Sequence, residues 1–190
     1  MKTYIRSLVL LGIFLGAGFV YGQEKGSCVT DVILSSYSSR NFNSTPLTKD
    51  QINLVLQCGI KSPSARNNQP WKYTVVTDET LAQKIIRDAL PGNAVIVVSG
   101  PENVSEGMNP DIDCSLTTAY MYVAAQSLGL AAHLYTSPVR NVNENLKVEL
   151  GIAEGYRAIL VLKIGNTDSY VDGISSASAR NDLQVVVTFK

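Results

Sequence analysis

The stretch Ser62-Pro63-Ser64-Ala65-Arg66-Asn67-Asn68-Gln69-Pro70-Trp71 gathers hydroxyl, amide and guanidinium side chains into ten residues. Two prolines and the run of Ser and Asn mark a loop between a helix and a strand, where such groups are exposed. Hydroxyls and amides both donate and accept hydrogen bonds, so the segment suits gripping a polar, planar ligand. The same residues also suit a capping turn with Trp71 as ordinary core, and their types alone leave both readings open.

Other catalytic patterns are absent. The chain has no Gly-x-Ser-x-Gly elbow, no Gly-x-x-x-x-Gly-Lys phosphate loop and no His-Glu-x-x-His pair. Three cysteines (Cys28, Cys58, Cys114), no Cys-x-x-Cys pair and a single histidine, His133, are too few for a zinc site. An odd cysteine count leaves at least one thiol unpaired whatever the compartment. His133 follows the Gly129-Leu130 turn and suits either a structural histidine or a proton donor beside a ligand ring.

The elements that must position these residues alternate helix and strand. Helices are expected over Val29–Tyr37, over Thr48–Ile60 behind a Thr48 cap, over Asp78–Leu90 and over Val142–Leu150 before Gly151. Strands are expected at Lys72–Val76, Ala94–Val98, Ala131–Tyr135 and Ala158–Ile164. Residues 100–112 carry turn residues without periodicity and read as a long loop. Asp113–Leu130 is apolar or small on every face, which predicts a central buried helix ended by Gly129. Leu183–Phe189 reads as a strand set apart by the polar stretch 166–182, a tail able to reach a neighbouring subunit.

The 190 residues suit one domain, with no internal repeat or low-complexity tract. Basic Lys2 and Arg6, the apolar run Leu8–Val20 and small Gly22 have the layout of a secretory signal, so 1–22 is expected to be removed and 23–190 to form the mature, exported domain, periplasmic or secreted. The apolar run is short against the roughly 20 residues of a spanning helix, so no stable membrane anchor is expected. Removal takes two basic and no acidic residues, leaving 14 basic against 16 acidic, a balance that argues against nucleic acid as partner.

The loop Ser-Pro-Ser-Ala-x-Asn-x-Gln-Pro-Trp followed by a strand resembles the flavin-binding loop of the nitroreductase family. Ser38-Ser39-Arg40-Asn41-Phe42 after the first helix, the Asp113–Gly129 helix and the apolar strand ending at Gly165 follow in the family's order, so the resemblance spans roughly residues 29–190. It implies an α+β, three-layer fold, with a central mixed or antiparallel sheet flanked by helices and a C-terminal strand exchanged in a homodimer. It further implies FMN held by Ser38, Arg40, Pro63, Ser64, Asn67, Gln69 and, near the tail, Arg180. This is chemically sensible, because a phosphate monoester carries about −1.5 to −2 charge and favours guanidinium forks and hydroxyl donors.

Two positions depart from the pattern. Ser36 stands where many members have a basic residue, and Arg66 stands where small residues are frequent. The activity implied is electron-pair transfer from a nicotinamide or other donor, through FMN, to a nitroaromatic, quinone or similar flat acceptor. Export separates the chain from cytoplasmic nicotinamides, so two alternatives stay open: an exported flavin-binding protein without turnover, and a non-catalytic interaction protein on the same scaffold.

Overall fold

Ala94–Pro101 is apolar at successive positions, as a strand covered on both faces requires. It forms β2, the second strand of a sheet in the order β1-β2-β4-β3, with β1 at Lys72–Val76, β3 at Ala131–Tyr135 and β4 at Tyr156–Gly165. Every pairing is antiparallel. The computed structural model describes residues 27–169 and 179–190, and the expected signal at 1–22 lies outside them.

Alternation along the two central strands builds two cores. Ala94, Ile96, Val98, Leu162 and Ile164 face α2 (Lys49–Ile60) and α4 (Pro110–Ser127). Val95, Val97 and Val161 face α3 (Glu79–Ile85) and the segment that begins with α5 (Val139–Asn141) and continues as a π-helical turn at Val142–Leu146. Helices therefore cover both faces of an antiparallel sheet, which makes the expected α+β three-layer arrangement. Near the N-terminus, α1 spans Ser27–Leu34.

Local signals account for the boundaries. Thr48 caps α2 in a full capping box with Gln51, and Asp78 caps α3. Gly129, at φ 71°, supplies the left-handed turn after α4.

Four expectations are corrected. β2 runs on through Ser99 to Pro101, carried past the expected stop by a register shift between Val98 and Ser99. α4 begins at Pro110, because Asn109 accepts hydrogen bonds from the amides of Asp111 and Ile112 and proline suits the first helical turn. This helix is also not buried on every face: Ile112, Leu116 and Tyr120, four residues apart, form an exposed apolar stripe.

The tail is the fourth. Leu183–Val186 is a short helical turn, α6, rather than part of a strand, and the residues after it have no regular structure. A lone strand leaves its backbone groups unpaired, whereas the turn closes one locally, with Val187 N donating to Leu183 O at 3.0 Å. Leu183, Val185, Val186 and Phe189 are exposed.

Candidate functional site

The segment after α1 is extended and runs beside β3, where the Ser39 amide donates to the Ala132 carbonyl at 3.1 Å. Gln126 of α4 fixes it further, donating through Nε2 to the Tyr37 carbonyl at 2.9 Å. Ser39 is thereby buried, and Ser38 and Arg40 on either side are exposed. The Ser38 Oγ lies 3.0 Å from His133 Nδ1, and the same nitrogen lies 3.1 Å from the Ser39 carbonyl. A carbonyl only accepts, so the contact with Ser39 favours the tautomer with its hydrogen on Nδ1 and Nε2 as the basic nitrogen, while the Ser38 hydroxyl can take either role.

Charges converge on this end. Burial lowers the His133 pKa, and Arg40 and Lys163 add to that, against hydrogen bonds that favour the cation. Burial raises the Tyr122 hydroxyl pKa, while a hydrogen bond with Ser38 and attraction to Arg180 pull it back. The His133 and Tyr135 rings pack 4.4 Å apart, and a groove of about 350 Å³ opens between Arg40, Asp88, His133, Tyr135 and Ser137.

Beneath the groove, Lys163 is only 1% exposed. Its ammonium donates to Asp88 O and Oδ1, both at 3.2 Å, and sits 4.1 Å from the Phe42 ring centre. Burial depresses its pKa and the Asp88 carboxylate opposes the change. Ser36 donates to the Ile33 carbonyl at 2.9 Å and completes the end of α1, so its hydroxyl is engaged in a cap.

The 62–71 loop is held differently. Ser64 Oγ accepts from the Gln69 amide at 3.0 Å across a short 3-10 turn at Ala65–Asn67. Arg66, Asn67 and Gln69 all have positive φ, at 52°, 54° and 46°, an uncommon conformation for residues with a Cβ. Such strain persists where the surroundings over-determine it, as they often do at ligand sites. The anchor is Asp113 in the first turn of α4, whose Oδ1 accepts from the Ala65 amide at 3.0 Å. Asp113 is 3% exposed and its second oxygen is buried with no hydrogen-bond partner among the described residues. Pro63, Arg66, Asn67 and Gln69 remain largely open to solvent, Ser64 is half-buried, and Pro70 and Trp71 are buried.

The expected site residues therefore form two groups. Ser38 and Arg40 lie beside His133, with the charge of Arg180 felt at Tyr122, whereas Pro63, Ser64, Asn67 and Gln69 lie in the loop anchored on Asp113. Nine residues of α4 separate Tyr122 from Asp113, about 14 Å at the helical rise. His133, for which the sequence left a structural and a ligand-side role open, lies against Ser38. Sequence reasoning missed Tyr122, which nothing distinguishes from other helix residues, and Asp113, which reads as an ordinary first-turn acid. Lys163 carried a legible signal, a lone cation in the apolar run of β4.

Among the described residues no group of three His, Cys, Asp or Glu side chains could hold a metal ion, and no helix is long and apolar enough to cross a membrane.

Known proteins share this fold. The sequence profile of the nitroreductase family matches residues 33–106, which include both polar segments and β1. A relative from Archaeoglobus fulgidus, provisionally named as an NADH dehydrogenase/NAD(P)H nitroreductase, is 28% identical over 144 residues, covering 70% of this chain and 82% of its own. A nitroreductase with bound FMN from Desulfitobacterium hafniense superposes with a TM-score of 0.71 at 19% identity, over 86% of this chain and 98% of that one. Another with bound FMN, from Bacteroides fragilis, gives 0.69 at 16% identity, over 85% and 98%. The motif-bearing part of the sequence is thus similar to the nitroreductase family, and the fold is that of nitroreductases over most of its length.

Proposed function

We propose that the chain binds FMN and works as an oxidoreductase, passing electron pairs from a nicotinamide or other reduced donor to a nitroaromatic, quinone or similar flat acceptor. The observation that carries this reading is the placing of Ser38 and Arg40 beside His133, where the Ser38 hydroxyl lies 3.0 Å from the imidazole and Arg40 lines the same groove: a guanidinium group and a hydroxyl suit a phosphate monoester. The donor set at the other end fits as well, since Ser64, Asn67 and Gln69 offer amide and hydroxyl groups to a polar ring edge. The FMN-bound relatives of the same fold point the same way. FMN supplies the redox chemistry that side chains lack; the chain's own part is to hold the phosphate, orient the ring and present its rim with hydrogen-bond partners.

A homodimer belongs to this proposal. The exposed stripe Ile112, Leu116 and Tyr120 on α4 offers a second copy an apolar surface to cover. Export, supported by Lys2, Arg6 and the run Leu8–Val20, calls for an electron donor outside the cytoplasm. The Ser36 hydroxyl, spent on a helix end where many relatives carry a cation, favours a second reading in which FMN is bound without turnover.

An absorbance spectrum of the purified protein with added FMN tests the first step, and bleaching by NADH or NADPH with recovery on adding a quinone tests the second. Flavin bands that stay those of free FMN would overturn the proposal. Shifted bands that no nicotinamide bleaches would favour the carrier.

A further inference from the structure

We propose that phosphate binding at Ser38 is coupled to proton uptake by His133, which makes this imidazole a titrating cation of the anion subsite. The inference rests on reading Ser38 and Arg180 as the phosphate end of an FMN site, and adds a residue and a pH dependence to it.

The geometry confines the effect to one atom. With the Nδ1 hydrogen assigned to the Ser39 carbonyl at 3.1 Å and Ser38 Oγ at 3.0 Å, a further proton goes to Nε2. A phosphate oxygen in hydrogen-bond contact with Ser38 would stand within about 6 Å of the imidazole, close enough for an opposite charge to favour its protonated form.

The groups facing His133 are Ser38, the Ser39 carbonyl and Arg40 from the extended segment, Tyr135 from its own strand and Lys163 from β4. Tyr122 and Arg180 are reached through Ser38, and Asp88 counters Lys163. Burial, with the cations Arg40 and Lys163, shifts the ring towards its neutral form without a ligand, and a dianion would act against them.

The sign follows from linkage. If the anion raises the imidazole pKa, affinity is greatest below the ligand-free pKa and falls as pH rises through the bound-state pKa. An anion that makes the ring about tenfold more basic is itself bound about tenfold more tightly once the ring is protonated. The phosphate's own second ionisation, near pH 6, strengthens binding in the opposite direction, so the informative quantity is the difference from a variant that cannot titrate. His133→Asn is that variant, because an amide nitrogen can replace the Nδ1 donor towards the Ser39 carbonyl.

His133 is the single histidine of the chain, so in the untagged protein the imidazole resonances report it alone. We would titrate them between about pH 5 and 8, the range in which histidine ionises, with FMN, with riboflavin and without ligand. FMN affinity of the wild type and of His133→Asn would be measured over the same range by flavin fluorescence. The expected result is an imidazole pKa raised by about 1 with FMN and unmoved by riboflavin, and an affinity ratio of wild type to variant that grows about tenfold towards acid. Bound FMN with an unmoved imidazole and one shared pH profile would overturn the coupling and leave the FMN site standing. No FMN binding at any pH would overturn the site and the coupling with it. If circular dichroism shows that His133→Asn does not fold, the wild-type imidazole titration decides alone.

Discussion

The loop over the first turn of α4 and the extended segment beside its last turns are both short, polar and irregular, yet they are fixed by different means. The 62–71 loop depends on backbone geometry: three side-chain-bearing residues at positive φ, a Ser64 hydroxyl turned inward and one buried carboxylate oxygen on the Ala65 amide. The Ser38 end gathers charged and titratable groups, with His133 3.0 Å from the hydroxyl and Arg40 lining the same groove. The first arrangement discriminates by shape and is indifferent to salt; the second discriminates by charge and is screened by it.

The largest expected effect removes the contrast by disturbing the helix pair beneath both ends. Gly59 lets α2 approach α4 so closely that a Cβ there would stand 2.6 Å from Met121 Cγ and 3.2 Å from Thr117 Oγ1. Gly59→Val should destabilise the protein by about 2–3 kcal/mol through overpacking, seen as a lower denaturant midpoint. A change near zero would mean the helix pair is not what spaces the two ends.

Asp113→Ala sharpens the contrast by acting on one end only. It leaves the Ala65 amide without its acceptor, at a cost of about 1–3 kcal/mol. Hydrogen exchange should speed up at residues 64–69 and stay unchanged at Ser39, whose amide is bound to Ala132. Equal acceleration at both places would break the comparison.

A smaller effect reads charge against shape directly. Arg40→Ala should weaken FMN binding by about tenfold, the size of one charge-assisted hydrogen bond, and flatten its salt dependence while leaving riboflavin binding alone. Gln69→Ala should weaken both flavins alike at any salt. The smallest change is Arg66→Gly, which removes a side chain from φ 52° and should stabilise the fold by about 1 kcal/mol or less. Thermal melting would detect it.

Much of the architecture was legible because its signals are local. Thr48 and Asp78 announce helix starts, Gly129 announces an end, and the apolar run Ala94–Val98 can only be a strand covered on both sides. The errors arose where tertiary partners decide. The stretch 183–189 has strand-forming residues but no sheet neighbour, and a local turn wins at its start. The outer face of α4 is apolar in sequence yet exposed in the chain, because apolar composition does not reveal which side meets the sheet.

Both candidate segments were visible from their residue types. Their distance apart along α4, and the buried groups that fix them, were not. A hydrogen bond such as that between Ala65 and Asp113, 48 residues apart, has no signature in local sequence.

Trp71 closes the 62–71 loop, is buried, and is the single tryptophan of the chain. A buried indole emits at wavelengths where flavins absorb, so energy transfer would make its fluorescence a built-in gauge of flavin occupancy. The protein thus carries separate spectroscopic reporters for its two polar ends, an indole beside the strained loop and a lone imidazole beside the charged one.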